Sequence, residues 1–121
     1  MNLGSFRDGH PRITLTFPSA VGNLLIEFLV DTGFGGDLAV PQSVISRLDA
    51  SFIGPRDRRL ADGTPLRCAM YATTVDWNGE DRATEVLVFP CEPLLGTIFL
   101  QDYLLQVEVV EGGSVEIGSL S

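Results

Sequence analysis

The chain has no lysine, a single histidine, two cysteines and no apolar run of membrane-spanning length. All eight basic residues are arginine, and sixteen acids leave a net charge of −8. That is the wrong sign for a phosphate-backbone binder, so no nucleic-acid partner is expected. The longest uncharged stretch, 13–26, is 14 residues and contains Pro18 and Gly22, short of the roughly 20 a bilayer span needs. Met1 to Arg12 has no apolar core of leader length. A cytoplasmic protein without a membrane partner is therefore the expectation. His10 stands between Gly9 and Pro11 near a terminus expected to be loose and exposed, so a Ser-His or Cys-His nucleophile would hang on that one residue. Cys68 and Cys91 match no metal-ligand spacing; they could be paired or free, and two reduced thiols are the favoured expectation in a chain without an export leader. Gly33-Phe34-Gly35-Gly36 is not followed by Lys-Ser/Thr, so it is no phosphate cradle.

What the chain does have is core and turns. Its 121 residues suit one domain, 1–121. They are 45% hydrophobic with mean hydropathy +0.22, enough for a core with apolar surface left over for a partner chain. Leu24 to Val30, broken only by Glu27, reads as a mostly buried strand. It ends abruptly in Asp31-Thr32-Gly33-Phe34-Gly35-Gly36. A carboxylate at the end of a core strand is costly unless hydrogen-bonded. The glycines let backbone N–H groups approach it, and Thr32 adds a hydroxyl. Such a loop would present one acid on a rigid support. The plain alternative is an Asp that only satisfies glycine amides in a turn.

Along the rest of the chain, Arg12 to Phe17 alternates like a half-exposed strand, and Pro18 to Asn23 is turn chemistry. Leu38-Ala39-Val40 reads as a short buried strand. Pro41 suits the first turn of a helix with Val44, Ile45 and Leu48 on one face, and 51–55 reads as a loop. Asp62-Gly63 and Asn78-Gly79 mark hairpins through residues that tolerate positive φ. Leu105, Val107 and Val109, then Gly112-Gly113, then Val115 and Ile117 make a last hairpin. Many short strands and one or two short helices mean an all-β, closed or sandwiched architecture.

Hydrophobic-hydrophobic-Asp-Thr-Gly at a strand end, with Leu94-Leu95-Gly96 downstream before the apolar stretch Ile98 to Leu105, resembles the single-lobe, retropepsin-like aspartic peptidases of bacterial type. The likeness runs over about residues 12 to 118. It implies an all-β, retropepsin-like closed barrel in which Leu94, Leu95 and Gly96 support the active-site loop ahead of a short helix. It implies hydrolysis of peptide bonds by Asp31, Thr32 and Gly33 with no metal or organic cofactor. Phe34, Gly35 and a covering hairpin tip at Ala61, Asp62, Gly63 and Thr64 would meet the peptide. Such enzymes need two carboxylates sharing one proton, and this chain has one Asp-Thr-Gly. If Asp31 is catalytic, its partner is Asp31 of a second copy across a two-fold axis, so a homodimer is expected. Two departures stand out. Phe34 replaces a small residue that could bond the carboxylate, and Thr97 replaces an arginine that braces viral dimers. The alternative is an inactive peptide-binding or assembly module on the same fold. For the dimer, either Ser114 to Gly118 interleaves between chains, with Met1 to Phe6 as partner, or the last strand closes its own chain and the loops at Asp31 make the contact.

Overall fold

A computed structural model of the chain describes residues 2–60 and 62–120. Its elements run β1 (Asn2–Arg7), β2 (His10–Phe17), β3 (Leu24–Val30), β4 (Leu38–Val40), α1 (Gln42–Ile45), β5 (Ser51–Arg59), β6 (Pro65–Trp77), β7 (Glu80–Val88), β8 (Leu94–Leu95), β9 (Tyr103–Val107) and β10 (Ser114–Ser119). The strands join in one sheet of order β5-β6-β7-β4-β8-β3-β2-β1-β10-β9. The sheet curls until β2 meets β6 through Thr16 and Asp76. The mostly β architecture expected from the sequence is present, while closure into a barrel goes no further than this one bridge.

Alternation builds the core. Ile13, Leu15 and Phe17 of β2 turn inward, as do Ile26, Phe28 and Val30 of β3, with Val75, Trp77, Val86 and Ile117 from the facing strands. Each such side chain contributes roughly 1.5–3 kcal/mol by leaving water. Trp77 meets Phe99 edge-on at 4.9 Å between centroids. A second, smaller cluster of Ala39, Cys68, Met70 and Leu87 lies beneath the β5–β6 arm. Cys68 and Cys91 are both free thiols.

Turn chemistry sets the register. Asn78 and Gly79 take φ of 56° and 82°, so β6 and β7 pair from Trp77 with Glu80 onward. Asp8 and Gly9 do the same at 53° and 79°, making a β1–β2 hairpin the sequence reading did not anticipate. His10 therefore belongs to a paired strand rather than a loose terminus, although it is exposed. β1 pairs with β10 of the same chain, Gly4 opposite Val115, so the terminal strand is taken up within its own sheet.

Three local expectations are corrected. Residues 51–55 are strand, not loop: β5 pairs with the long β6 across a register shift between Phe52 and Gly54. Most of β5 is exposed, so no alternation marked it. Pro41 caps α1 from outside and does not start it, and Leu48 is buried beyond the helix end. The short helix expected after Leu94-Leu95-Gly96 is a run of turns over 97–102. It ends at Asp102 with φ of 71°.

Candidate active-site loop

Val30 is buried at the end of β3, and the chain then turns outward at Asp31. The Asp31 N–H donates to the Leu95 carbonyl at 2.9 Å, and the Asp31 carbonyl accepts from Phe34 N–H at 3.1 Å. One carboxylate oxygen, Oδ1, accepts the Gly33 N–H at 2.9 Å. Of the amides that the glycine-rich sequence offered, this is the one that holds the acid. Thr32 is exposed, and its hydroxyl makes no hydrogen bond among the described residues.

Leu94, Leu95 and Gly96 are brought against this loop. β8 runs parallel to β3, with Leu94 beside Leu29 and Leu95 beside Val30, and antiparallel to β4 on its other side. The two similar tracts, Leu29-Val30-Asp31-Thr32-Gly33 and Leu94-Leu95-Gly96-Thr97, thus lie side by side. Beyond β8 the loops are zipped together: Gly96 N–H reaches the Asp37 carbonyl at 2.8 Å, Thr97 N–H the Phe34 carbonyl at 2.9 Å, and Ile98 N–H the Gly36 carbonyl at 3.1 Å. The Thr97 hydroxyl donates to the same Phe34 carbonyl at 3.3 Å. A Cβ on Gly96 would sit 2.3 Å from the Gly36 oxygen and 2.6 Å from the Phe34 oxygen, so only glycine admits this approach.

Phe34 is half-buried. Its ring lies so close over Gly36 that a Cβ there would come within 2.7 Å of it. It packs on the second apolar cluster and lines a cavity of about 260 Å3 with Gly35, Arg58, Met70, Leu87 and Ile98. Asp37, which the sequence reading passed over, anchors the loop to β7. Its carboxylate accepts the Thr84 hydroxyl at 3.3 Å and Glu85 N–H at 3.2 Å. The available signal was an acid directly after two glycines and before a buried strand.

Asp31 and Thr32 themselves line a different recess, of about 480 Å3, on the side of the terminal strands. Phe6, His10, Leu105 and Val109 form its walls, so His10, to which the sequence assigns no role, borders the same recess as Asp31. The β5–β6 tip is closed by Leu60 N–H to the Thr64 carbonyl and Gly63 N–H to the Leu60 carbonyl, both 2.9 Å. Gly63 has φ of 87°. The Asp62 carboxylate accepts Thr64 N–H at 2.9 Å. Hydrogen bonds from the Thr64 side chain and backbone hold that carboxyl below its ordinary range. Asp62, Gly63 and Thr64 line neither the recess at Asp31 nor the cavity at Phe34; the arm's Arg58 and Met70 reach the latter. Ala61, expected at this tip, lies outside the described residues.

Among the described residues no group of three or more His, Cys, Asp or Glu is placed to hold a metal ion, and no helix is long and apolar enough to cross a membrane. One carboxylate on a braced loop, open on one side, cannot alone act as base and acid in the same step.

No family model matches the chain, and no curated protein sequence matches it. Its fold is similar to that in the crystal structure of a retropepsin-like aspartic protease from Rickettsia conorii, with a TM-score of 0.58. The match covers 100% of this chain and 92% of that one at 18% identity. At that identity the likeness is one of fold.

Proposed function

We propose that the chain is an aspartic endopeptidase that works as a homodimer, with Asp31 from each copy forming the catalytic pair. The observation that carries this reading is the Asp31 loop itself. One carboxylate oxygen is fixed by the Gly33 amide, the backbone is clamped to β8, and the acid borders an open recess beside an unengaged Thr32. A second copy across a two-fold axis would bring its own Asp31 to that recess. Thr32 of each copy would then bond backbone of the other.

In this mechanism the ionised carboxylate takes a proton from water as the water oxygen attacks the peptide carbonyl carbon. The protonated carboxyl of the other copy gives its proton to the carbonyl oxygen. Collapse of the tetrahedral diol breaks the C–N bond as the amine nitrogen takes the proton from the first carboxyl and a diol hydroxyl gives its proton to the second, so the pair again holds one shared proton. The β5–β6 arm would lie over bound peptide, pairing with its extended backbone.

The test is digestion of a mixed peptide library from pH 3 to 8 by wild type and by Asp31→Asn. Cleavage lost in the variant supports the reading. Equal residual cleavage in both would expose a contaminant. No cleavage by a wild-type dimer would move the assignment to a peptide-binding module.

A further inference from the structure

The β5–β6 arm is charged against the trend of the chain. Arg56, Arg58, Arg59 and Arg67 are four of the eight arginines in a protein of net charge −8. The ion pairs elsewhere join Arg7 and Arg12 to Glu27, and Arg12 also to Glu92. Among the described residues none of the four arm arginines has a carboxylate within 4.0 Å. Arg59 is engaged in holding the tip, donating to the Gly63 carbonyl at 3.0 Å. Arg56 donates to the Pro55 carbonyl at 3.1 Å. The Arg58 guanidinium makes no hydrogen bond or ion pair among the described residues.

Arg58 also faces the right way. It stands opposite Leu66, and the next pair on that face is Arg56 with Cys68. This is the face that carries Leu66, Cys68 and Met70 into the second apolar cluster. Arg58 lines two cavities that Phe34 also lines, the smaller of which is walled by Ala39, Leu87, Phe89 and Leu94 and bordered as well by Arg59, whose guanidinium is held by the Gly63 carbonyl. Its charge is felt beneath the arm: burial pushes the Cys68 thiol up, and the Arg58 guanidinium pulls it back. Asp37 and Glu85 both border the larger cavity, each beyond ion-pairing reach of Arg58, and the Asp37 carboxylate is already engaged by Thr84 and the Glu85 amide.

An unpaired guanidinium at the rim of an apolar pocket matches a carboxylate, whose two oxygens fit its forked donors. We propose that Arg58 selects an acidic side chain on the substrate, next to an apolar residue seated against Phe34, Leu87 and Phe89. The substrate class is then peptides carrying Asp or Glu beside a hydrophobic residue near the cleaved bond. This rests on the peptidase reading above and names its specificity.

The experiment uses peptide pairs identical except for Glu or Gln at each position around the cleaved bond. They are scored by kcat/KM with wild type, Arg58→Gln, Arg58→Lys and Arg58→Glu, and by fluorescence-polarisation binding to Asp31→Asn. At one position wild type should favour Glu over Gln about tenfold, as charge-assisted hydrogen bonding allows. Arg58→Gln should erase the preference, Arg58→Lys should keep part of it, and Arg58→Glu should turn it toward Lys-bearing peptides. Cleavage with no Glu/Gln difference, or a difference that survives Arg58→Gln, overturns the assignment of Arg58 and leaves hydrolysis standing. Discrimination in binding without any cleavage keeps Arg58 and overturns hydrolysis, and absence of both overturns both. Competition by a single-stranded oligonucleotide as strong as that of the Glu peptide would replace the proposal with a general anion surface.

Discussion

Gly96→Ala tests how the Asp31 loop is held. The added methyl would lie 2.3 Å from the Gly36 carbonyl oxygen, 2.6 Å from the Phe34 carbonyl oxygen and 2.7 Å from the Phe34 ring. Two of the three neighbours are backbone, so the strain cannot be relieved by turning a side chain. The loops must part, and the bonds from Gly96, Thr97 and Ile98 to the carbonyls of Asp37, Phe34 and Gly36 lengthen together. At about 1 kcal/mol for each of the three hydrogen bonds, the loss should be at least roughly 3 kcal/mol, with overpacking adding to it. In a domain of this length that lowers Tm by about 10 °C. Gly35→Ala is the control: a Cβ there has nothing within 4 Å, so stability should change by less than about 0.5 kcal/mol. Thermal unfolding of both variants gives the comparison, and amide exchange at Thr97 and Ile98 locates the damage. If Gly96→Ala melts within about 2 °C of wild type with those amides still protected, the clamp does not brace the loop as argued.

The β5–β6 tip should loosen in acid. The Asp62 carboxyl is depressed by its bonds with Thr64, so its support is complete above the unfolded value of 3.8 and fades as pH falls through the lower folded value. The Thr64 amide, followed by NMR, should keep its shift down to about pH 4 and lose it below; a transition centred above 3.8, or one that persists in Asp62→Ala, would contradict the assignment. At the other hairpin, Asn78→Val places a β-branched residue at φ of 56° and should cost about 1–2 kcal/mol in urea unfolding. An unchanged midpoint there would mean that the turn does not set the β6–β7 register.

Most of what the sequence made legible was local. The apolar run into Asp31, the Asn78-Gly79 turn and the alternation of Ile13, Leu15 and Phe17 each carry their signal within a few residues. The site's geometry depends on partners that no window contains. β8 is two residues long, and only its contacts with β3 and β4 make it a strand. β1 has little alternation of its own, and its place follows from β10. The β1–β2 hairpin, with β2 paired to β3, is what carries His10 to the rim of the Asp31 recess. The largely exposed β5 hid its pairing, and with it the face on which Arg58 stands. Asp37 looked like any acid in a glycine-rich turn until β7 supplied Thr84 and the Glu85 amide.

The clamp on the Asp31 loop also orders events in time. Its two halves, Phe34 and Thr97, are 63 positions apart in the chain. During synthesis the acid emerges long before the segment that fixes it. Closing so long a loop is entropically slow and is repaid only when β3, β4 and β8 are packed together. A partly made chain therefore exposes Asp31 on an unbraced turn, and the arranged carboxylate exists only once most of the polypeptide has folded. The chemistry proposed for this loop is thereby withheld from nascent chains, with no separate inhibitory segment required for that delay.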